Sequence, residues 1–382
     1  MCANRADIAS SERRHVLLVV RWPVGGIRTF LKYVISYFPS DKYRFSVIGV
    51  STEGMGALKE ELGDLVERWV LVPPEGKVVP ELLVQTRLLY RQHRFDAVHA
   101  HGFTSVIACL FLGLTSRARL ICTSHDVLNH QQLSGPKGWV RRAILGAALA
   151  RCRVVHSVSY DAEANLLSEF PSLKAKSRVI TNGIDVALFS TAQPVDLREA
   201  HGISPDVKIV GFFGRFMGQK GFKYLIGAIE SLERRDDVPA FHVICFGSGA
   251  FIREEQIEIR RRGLESLFTF SPFIPDVSGA MKGCDLIAMP SLWEACPLQP
   301  MEALCAGVPF VGTDCIGMRE VLSNTPATVV KSGDTIALAD GMLECLELGR
   351  EPFEAFSAKA KERFDVRRTA SSVYEMYEKV LT

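Results

Sequence analysis

The feature that most constrains this chain is a repeated order: a short apolar run, a glycine-bearing turn, then a longer stretch with helical spacing. His15–Val20 reads as a first strand, Gly25-Gly26 break it, and Thr29–Phe38 reads as a helix. The alternation continues through strands at Phe45–Val50, Trp69–Val72, Phe95–Ala100, Leu120–Thr123, Val154–Val158 and Ser177–Ile180. Helical spacing lies between them, over Leu58–Leu65, Pro80–His93, Thr104–Leu114, Trp139–Ala150 and Asp161–Phe170. Strands that are apolar throughout must be covered on both faces, which implies parallel sheets clothed by helices. A linker from Phe189 to Ala200 interrupts the pattern. It restarts with Lys208–Phe213, a helix over Gly221–Arg234, and strands at His242–Phe246, Thr269–Phe270, Leu286–Met289 and Phe310–Gly312. The expectation is an α/β chain of two doubly wound domains facing across a cleft, and its 382 residues suit two domains. The predicted parts are a flexible N-terminus over 1–14, a first domain over 15–190, a second over 191–364, and a terminal helix over 365–382 that returns to the first.

Charge narrows the partners. The net charge of +2 leaves no basic excess for a protein whose main ligand is nucleic acid. Yet residues 1–190 carry 24 Lys and Arg against 16 Asp and Glu, and the remainder carries 21 against 27, so the two halves suit different partners. From Val127 to Tyr160 no acid occurs, while Lys137, Arg141, Arg142, Arg151 and Arg153 do, and Trp139 opens an apolar helix. That segment reads either as a packed helix with exposed basic ends or as a peripheral contact with an anionic membrane. The ten cysteines include no C-x-x-C, which excludes the usual zinc and redox spacings. Several sit in apolar runs as small hydrophobes, so a reducing, cytoplasmic setting is expected, with the inner face of the membrane as a peripheral station. No run of about 18 uninterrupted apolar residues is present to span a bilayer.

Five constellations carry chemistry. In the first, Glu294 and Glu302 are separated by seven residues, with Pro297, Pro300 and Gly307 where a short helix would start and stop. Glu302 then sits in the first helical turn, and Cys296, Pro297 and Leu298 form the loop whose amide N–H groups, at Cys296 and Leu298, would face an anion. A carboxylate beside them accepts two hydrogens from a diol; the plainer reading is a glutamate that favours the helix dipole. In the second, Gly214-Arg215 and Lys220-Gly221 follow a strand, offering a planar fork and a point charge for phosphate oxygens; alternatively these are two solvated loop charges. The third is the Gly25-Gly26 turn after strand one. Phe246-Gly247-Ser248-Gly249 resembles half of a dinucleotide fingerprint, but Ile252 stands where the third glycine belongs, which disfavours an NAD-dependent oxidoreductase. The fourth is His99-Ala100-His101 at one strand end with Ser124-His125-Asp126 at the next. Strand-end histidines can bind metal, although a satisfied interior residue is the simpler reading for His99. No D-x-D pair occurs, and no metal is expected. The fifth is Thr181-Asn182-Gly183-Ile184-Asp185, which by itself is a turn.

Together, in this order and spacing, these residues resemble the retaining glycosyltransferases of family 4 (group 1), and the match runs through nearly the whole chain. The resemblance implies two Rossmann-like domains in the GT-B arrangement and a cytoplasmic enzyme that moves a hexosyl group from a nucleotide-diphosphate sugar to a sugar or lipid-linked acceptor in polysaccharide or glycolipid assembly. No cofactor is implied, the nucleotide sugar being a substrate. Carried over residue by residue, Gly25, Gly26, Arg215, Lys220 and the Cys296, Pro297 and Leu298 loop would hold the donor diphosphate. Glu302 would bind the ribose, and Glu294 the donor sugar hydroxyls. His101 would face the anomeric centre, Asn182 would lie on a cleft loop, and Phe273 with Ile274 would lie near the base. Retention would follow front-side attack, with a leaving phosphate oxygen helping to remove the acceptor proton. The chain departs from the family in Ala295-Cys296-Pro297-Leu298, where many members have Gly-Phe-Gly or Gly-Phe-Pro, and in Pro272-Phe273, where a Gly-aromatic pair is usual. Alternatives in the same fold are a sugar-nucleotide epimerase, a phosphorylase-like enzyme, or a non-catalytic partner subunit. The presence of the family's charged site residues speaks against the last.

Overall fold

The computed structural model describes residues 13–112, 119–236, 238–272 and 274–382. They form two compact units, the described residues up to Asn182 with Val366–Thr382, and those within Gly183–Asp365. Each is built on one parallel sheet.

The first unit has seven strands in the order β3-β2-β1-β4-β5-β6-β7. They are β1 (Arg14–Val20), β2 (Tyr43–Val50), β3 (Val66–Val72), β4 (Ala97–His101), β5 (Arg119–Ser124), β6 (Val154–Ser157) and β7 (Ser177–Val179). Val16 to Val20 of β1 are fully buried, as a central strand covered on both faces must be. One face is covered by helices Val78–Gln92, Phe103–Ala108 and Gly135–Arg151. The other is covered by Gly26–Ser36, Glu53–Leu62 and the terminal helix Val366–Leu381. The terminal helix buries Val373, Met376, Tyr377 and Val380 in the cluster that holds Phe30, Phe38 and Tyr43. Glu378 on its rim accepts from Arg14 Nη1 at 3.0 Å and from Tyr43 Oη at 2.6 Å.

The second unit has six strands in the order β10-β9-β8-β11-β12-β13. They are β8 (Lys208–Phe213), β9 (Phe241–Phe246), β10 (Phe268–Ser271), β11 (Leu286–Met289), β12 (Phe310–Thr313) and β13 (Thr328–Val330). Helices Ile252–Arg261, Ser278–Gly283, Met318–Leu322, Thr335–Leu348 and Glu351–Phe364 are added to those the pattern marks.

Three expectations change. The first strand starts at Arg14, inside the segment expected to be a flexible terminus; residues 1–12 lie outside the described residues. The division between units falls at Asn182/Gly183, and the stretch read as a linker folds as helices Val186–Thr191 and Leu197–His201 of the second unit. Asp185 and Asp196 start these helices by accepting from backbone N–H groups, so the Asn-Gly-Ile-Asp turn ends in a helix cap. The basic helix Gly135–Arg151 leaves Trp139 67%, Val140 60% and Ile144 40% exposed, with Lys137 and Arg141 beside them. Arg142 does not belong to that free face: it donates to Glu169 Oε2 at 2.5 Å. No helix among the described residues is long and apolar enough to cross a membrane.

Candidate active site

Doubly wound sheets take ligands at the carboxyl ends of their strands, where the strand order reverses. In the second unit that point lies between β8 and β11. The loop after β8 carries Gly214, Arg215 and Lys220. The loop after β11 carries Glu294 and leads through Cys296, Pro297 and Leu298 into helix Gln299–Ala306, with Glu302 in its first turn. Pro300 occupies that turn, where its missing N–H costs nothing, and Gly307 closes the helix in a left-handed conformation.

Two glycines let backbone meet backbone here. Gly221 has φ 64°, and a Cβ on it would lie 2.0 Å from the Pro290 carbonyl oxygen, so this glycine lets the two loops touch. Leu292 N–H donates to the Gln219 carbonyl at 2.8 Å, and Gln219 Nε2 donates to the Trp293 carbonyl at 2.7 Å. Gly247 has φ 144°, and its Cβ would lie 2.0 Å from the Gly214 oxygen. Gly214 N–H donates to the Phe246 carbonyl at 2.9 Å and Phe216 N–H to the Ser248 carbonyl at 3.0 Å. The Phe246–Gly249 segment thus braces the Arg215 loop, which accounts for its glycines without a dinucleotide.

The charges are arranged unequally. Lys220 Nζ lies 2.6 Å from Glu294 Oε1, with side chains only 17% and 10% exposed. Ser291 Oγ donates to the same oxygen at 2.8 Å, and the Ser291 carbonyl accepts from Thr313 Oγ1 at 2.6 Å. Lys220 and Glu294, assigned separate ligand groups by resemblance, are therefore bonded to each other. An ammonium has three donors, so it can hold Glu294 and still present hydrogens to an anion. Arg215 is exposed and makes no ion pair with the described residues. Glu302 is partly solvent-accessible but surrounded by protein; burial pushes its carboxyl up to about 7, against the opposing pull of Lys220. Gln299 Nε2 donates to the Phe213 carbonyl at 2.7 Å and ties the head of the helix to the end of β8. A cavity of about 530 Å³ in the same unit is lined by Leu188, Phe246, Ser271, Ile274 and Asp276, among others. Phe273, expected near the base with Ile274, lies outside the described residues.

In the first unit the order reverses between β1 and β4. Gly25 and Gly26, both exposed, follow β1 and open helix Gly26–Ser36. His101 ends β4 and is 2% exposed. Its Nδ1 lies 3.1 Å from His125 Nε2, and its Nε2 is buried with no hydrogen-bond partner among the described residues. A bare buried nitrogen is costly, and a ligand is one remedy. His99 is the satisfied interior residue: its two nitrogens meet Tyr377 Oη and Thr123 Oγ1, each at 2.6 Å. Asn182 is buried at the end of this unit's main segment. Among the described residues no group of three or more His, Cys, Asp or Glu is placed to share a metal ion, and the described cysteines are buried without disulfides. Sequence reasoning missed Ser291 and Gln299, which carry no local signal. It noted His125 only as a strand-end residue.

Comparison with known proteins covers both units. Residues 24–188 match the family described as Glycosyltransferase Family 4, and residues 207–348 match Glycosyl transferases group 1. The chain is 24% identical over 338 residues to a D-inositol 3-phosphate glycosyltransferase of Paenarthrobacter aurescens (strain TC1), covering 85% of this chain and 80% of that one. It is 28% identical over 326 residues to the putative glycosyltransferase EpsF of Bacillus subtilis (strain 168), covering 80% of each. Among solved structures, Anabaena Alr3699/HepE in complex with UDP and glucose superimposes with a TM-score of 0.80 at 22% identity, over 96% of this chain and 100% of that one. Sucrose-phosphate synthase from Thermosynechococcus elongatus gives a TM-score of 0.79 at 17% identity, over 96% and 99%. With a family match on each unit, relatives that span most of the chain, and the loops of both sheets carrying the group's residues at their points of reversal, this chain belongs to the group 1, family 4 glycosyltransferases of the GT-B fold.

Proposed function

We propose that this glycosyltransferase moves a hexosyl group from a nucleoside-diphosphate sugar to an acceptor hydroxyl, with retention at the anomeric carbon and without a metal. The observation that carries the reading is the Lys220–Glu294 pair beside Glu302: one ammonium with a carboxylate on it, next to a second carboxylate at a helix head. As the bond from the anomeric carbon to the phosphate oxygen breaks, its electron pair goes to the diphosphate. Arg215, Lys220 and the loop over Cys296, Pro297 and Leu298 stabilise that charge, worth most where it develops. The acceptor oxygen bonds the anomeric carbon from the same face, and its proton passes to the departing phosphate. Glu302 receives the ribose hydroxyls, Glu294 the sugar hydroxyls, and the cavity at Ile274 the base. Gly25 and Gly26 give the diphosphate close access to backbone, and His101 Nε2 faces the sugar.

Metal independence rests on two cations standing where a divalent ion would otherwise neutralise phosphate, and on the lack of a D-x-D pair. UDP-hexoses are the first donors to try, because structures of the Anabaena neighbour hold UDP with glucose or UDP-glucose. The basic first half suits an anionic or lipid-linked acceptor, as in polysaccharide or glycolipid assembly. The exposed Trp139, Val140 and Ile144 beside Lys137 and Arg141 support a cytoplasmic protein that touches an anionic membrane surface, an aromatic and basic face of the kind such surfaces attract.

A panel of nucleotide hexoses tests the reading. Nucleotide release together with an acceptor-dependent glycoside of retained configuration supports it. Release of an epimerised free sugar, or of a sugar phosphate in the presence of phosphate, replaces it.

A further inference from the structure

Beneath His101 runs a chain of hydrogen bonds that the reading above does not use. His156 Nε2 lies 2.9 Å from the Ile180 carbonyl oxygen. A carbonyl only accepts, so this nitrogen carries the hydrogen, and the neutral ring must accept at Nδ1. Thr123 Oγ1, 2.9 Å from that Nδ1, therefore donates to it. The threonine oxygen is left to accept from His99 Nε2 at 2.6 Å. His99 Nδ1 must then accept, and Tyr377 Oη, 2.6 Å away, donates to it. One carbonyl thus fixes the direction of every hydrogen from Ile180 to the terminal helix. His99, Thr123, His156 and Tyr377 are each no more than 1% exposed, and burial holds both imidazoles well below their usual range, which keeps them neutral as the chain requires.

The chain touches His101 through His99. The two rings lie 4.0 Å apart, centroid to centroid, tilted by 36°. His125 bonds His101 on one side, and Phe30 packs against it at 5.9 Å. The His99 ring packs against the His101 ring, and both of its own nitrogens are satisfied. Without the Tyr377 hydrogen, His99 Nδ1 would be an unfilled buried acceptor. A shift of the hydrogen to Nδ1 would then leave Nε2 competing with His156 for the Thr123 hydrogen.

We propose that Tyr377, on the terminal helix, is a positioning residue for His101: its hydroxyl sets the tautomer of His99, and the His99 ring sets the plane of His101 and so the aim of Nε2. The inference rests on the reading that His101 faces the donor sugar. It requires the hydroxyl rather than the helix, because the Tyr377 ring is held separately by Phe38 at 5.2 Å and Tyr43 at 6.0 Å. Tyr377→Phe keeps those contacts.

The test combines nitrogen-15 spectroscopy of the histidine rings with kinetics on the hexose nucleotide that the wild-type protein turns over. The wild-type rings of His99 and His156 should both carry their hydrogen on Nε2. Tyr377→Phe should show mixed tautomers at His99 and a kcat about tenfold lower with a donor KM within about twofold, the split expected when positioning rather than binding is lost. Thr123→Val, which cuts the chain at its middle, should match it. Tyr43→Phe removes a hydroxyl from the same helix interface without touching the chain, and should keep wild-type kcat. Hydrogen on Nδ1 of wild-type His99 overturns the proposal, as does wild-type kcat in Tyr377→Phe or an equal loss in Tyr43→Phe. If the tautomers behave as described but His101→Ala turns over at the wild-type rate, the assignment of His101 to the donor fails, and the positioning role fails with it.

Discussion

Glu302 makes a prediction in which stability and binding move in opposite directions. Its carboxyl titrates at about 7 in the folded protein, against an ordinary value of 4.5. The unfolded chain therefore loses this proton first. Below about pH 4.5 the carboxyl is neutral in both states and costs nothing. Between 4.5 and 7 the folded state loses relative stability, and above 7 the cost is fully present. At 1.36 kcal/mol per pH unit the full difference is ~3 kcal/mol. The carboxyl keeps some contact with solvent, so ~1–2 kcal/mol is the figure to expect. Glu302→Gln should therefore raise the melting temperature at pH 8 by ~2–8 °C, at the 2–4 °C per kcal/mol usual for a unit of this size. The gain should vanish near pH 4. Nucleotide binding should run the other way. If the ionised carboxylate accepts the ribose hydroxyls, wild-type affinity for UDP should be flat above pH 7 and fall about tenfold per unit below it. The glutamine variant should bind more weakly, with no pH dependence of this origin. Thermal melts at both pH values and UDP titrations from pH 6 to 9 read both effects. Equal melting temperatures at pH 8 would refute the desolvated environment, and pH-independent wild-type binding would refute the ribose role.

Four further outcomes follow from the same geometry. Glu294→Ala should lower turnover by about 100-fold, the scale of losing one contact to developing charge, with a smaller change in nucleotide affinity; unchanged steady-state constants would remove Glu294 from the site. Gly247→Ala should destabilise the second unit by ~1–3 kcal/mol and raise the donor KM, because its Cβ would meet the Gly214 carbonyl; denaturant melts and kinetics check this. Activity should survive excess chelator, and loss restored by magnesium or manganese would show the phosphate site misread. Binding to vesicles should rise with anionic lipid and fall with salt, and replacing Lys137, Arg141 and Arg151 by Gln should abolish that rise without changing UDP affinity. Arg142 is left out of that set because its partner is Glu169.

The fold was legible because a parallel sheet writes itself into the sequence as uninterrupted apolar runs, and Val16 to Val20 of β1 and Ile209 to Phe213 of β8 are both of this kind. The loop residues were legible where chemistry demands an unusual type: glycines beside charges after β8, and two glutamates spaced around a proline-led helix after β11. What escaped was made by contacts distant in sequence. Ser291 is tied to Thr313, 22 residues away, and Gln299 to a carbonyl 86 residues away. Tyr377 meets His99 across 278 residues, a pairing that exists only because the terminal helix packs on the first sheet. The linker was misread because the helix-capping of Asp185 and Asp196 competes with the turn signals of Asn182-Gly183 and Pro194.

Net charge and local charge point in opposite directions in this chain, and the contrast bears on how each unit contributes to the reaction. The first half of the sequence is the basic one, yet β4, at its point of reversal, carries His99 and His101, with His125 just beyond β5 and His156 in β6, all held below their usual range by burial. The excess of positive charge lies elsewhere, on surfaces such as the helix of Lys137 and Arg141. The second half is acidic overall, yet its reversal point holds Arg215 and Lys220, with only part of that charge answered by Glu294 and by a Glu302 whose ionisation is resisted by burial. A diphosphate needs fixed positive charge, which a neutral imidazole cluster does not supply. A sugar needs directional hydrogen bonds that do not attract the phosphate into the wrong place, and a neutral ring with one bare nitrogen provides such a bond. In the proposed reaction the division of labour therefore follows from burial rather than from composition: the unit with more lysines and arginines presents the uncharged ring of His101 at the end of β4, and the unit with fewer presents the cations.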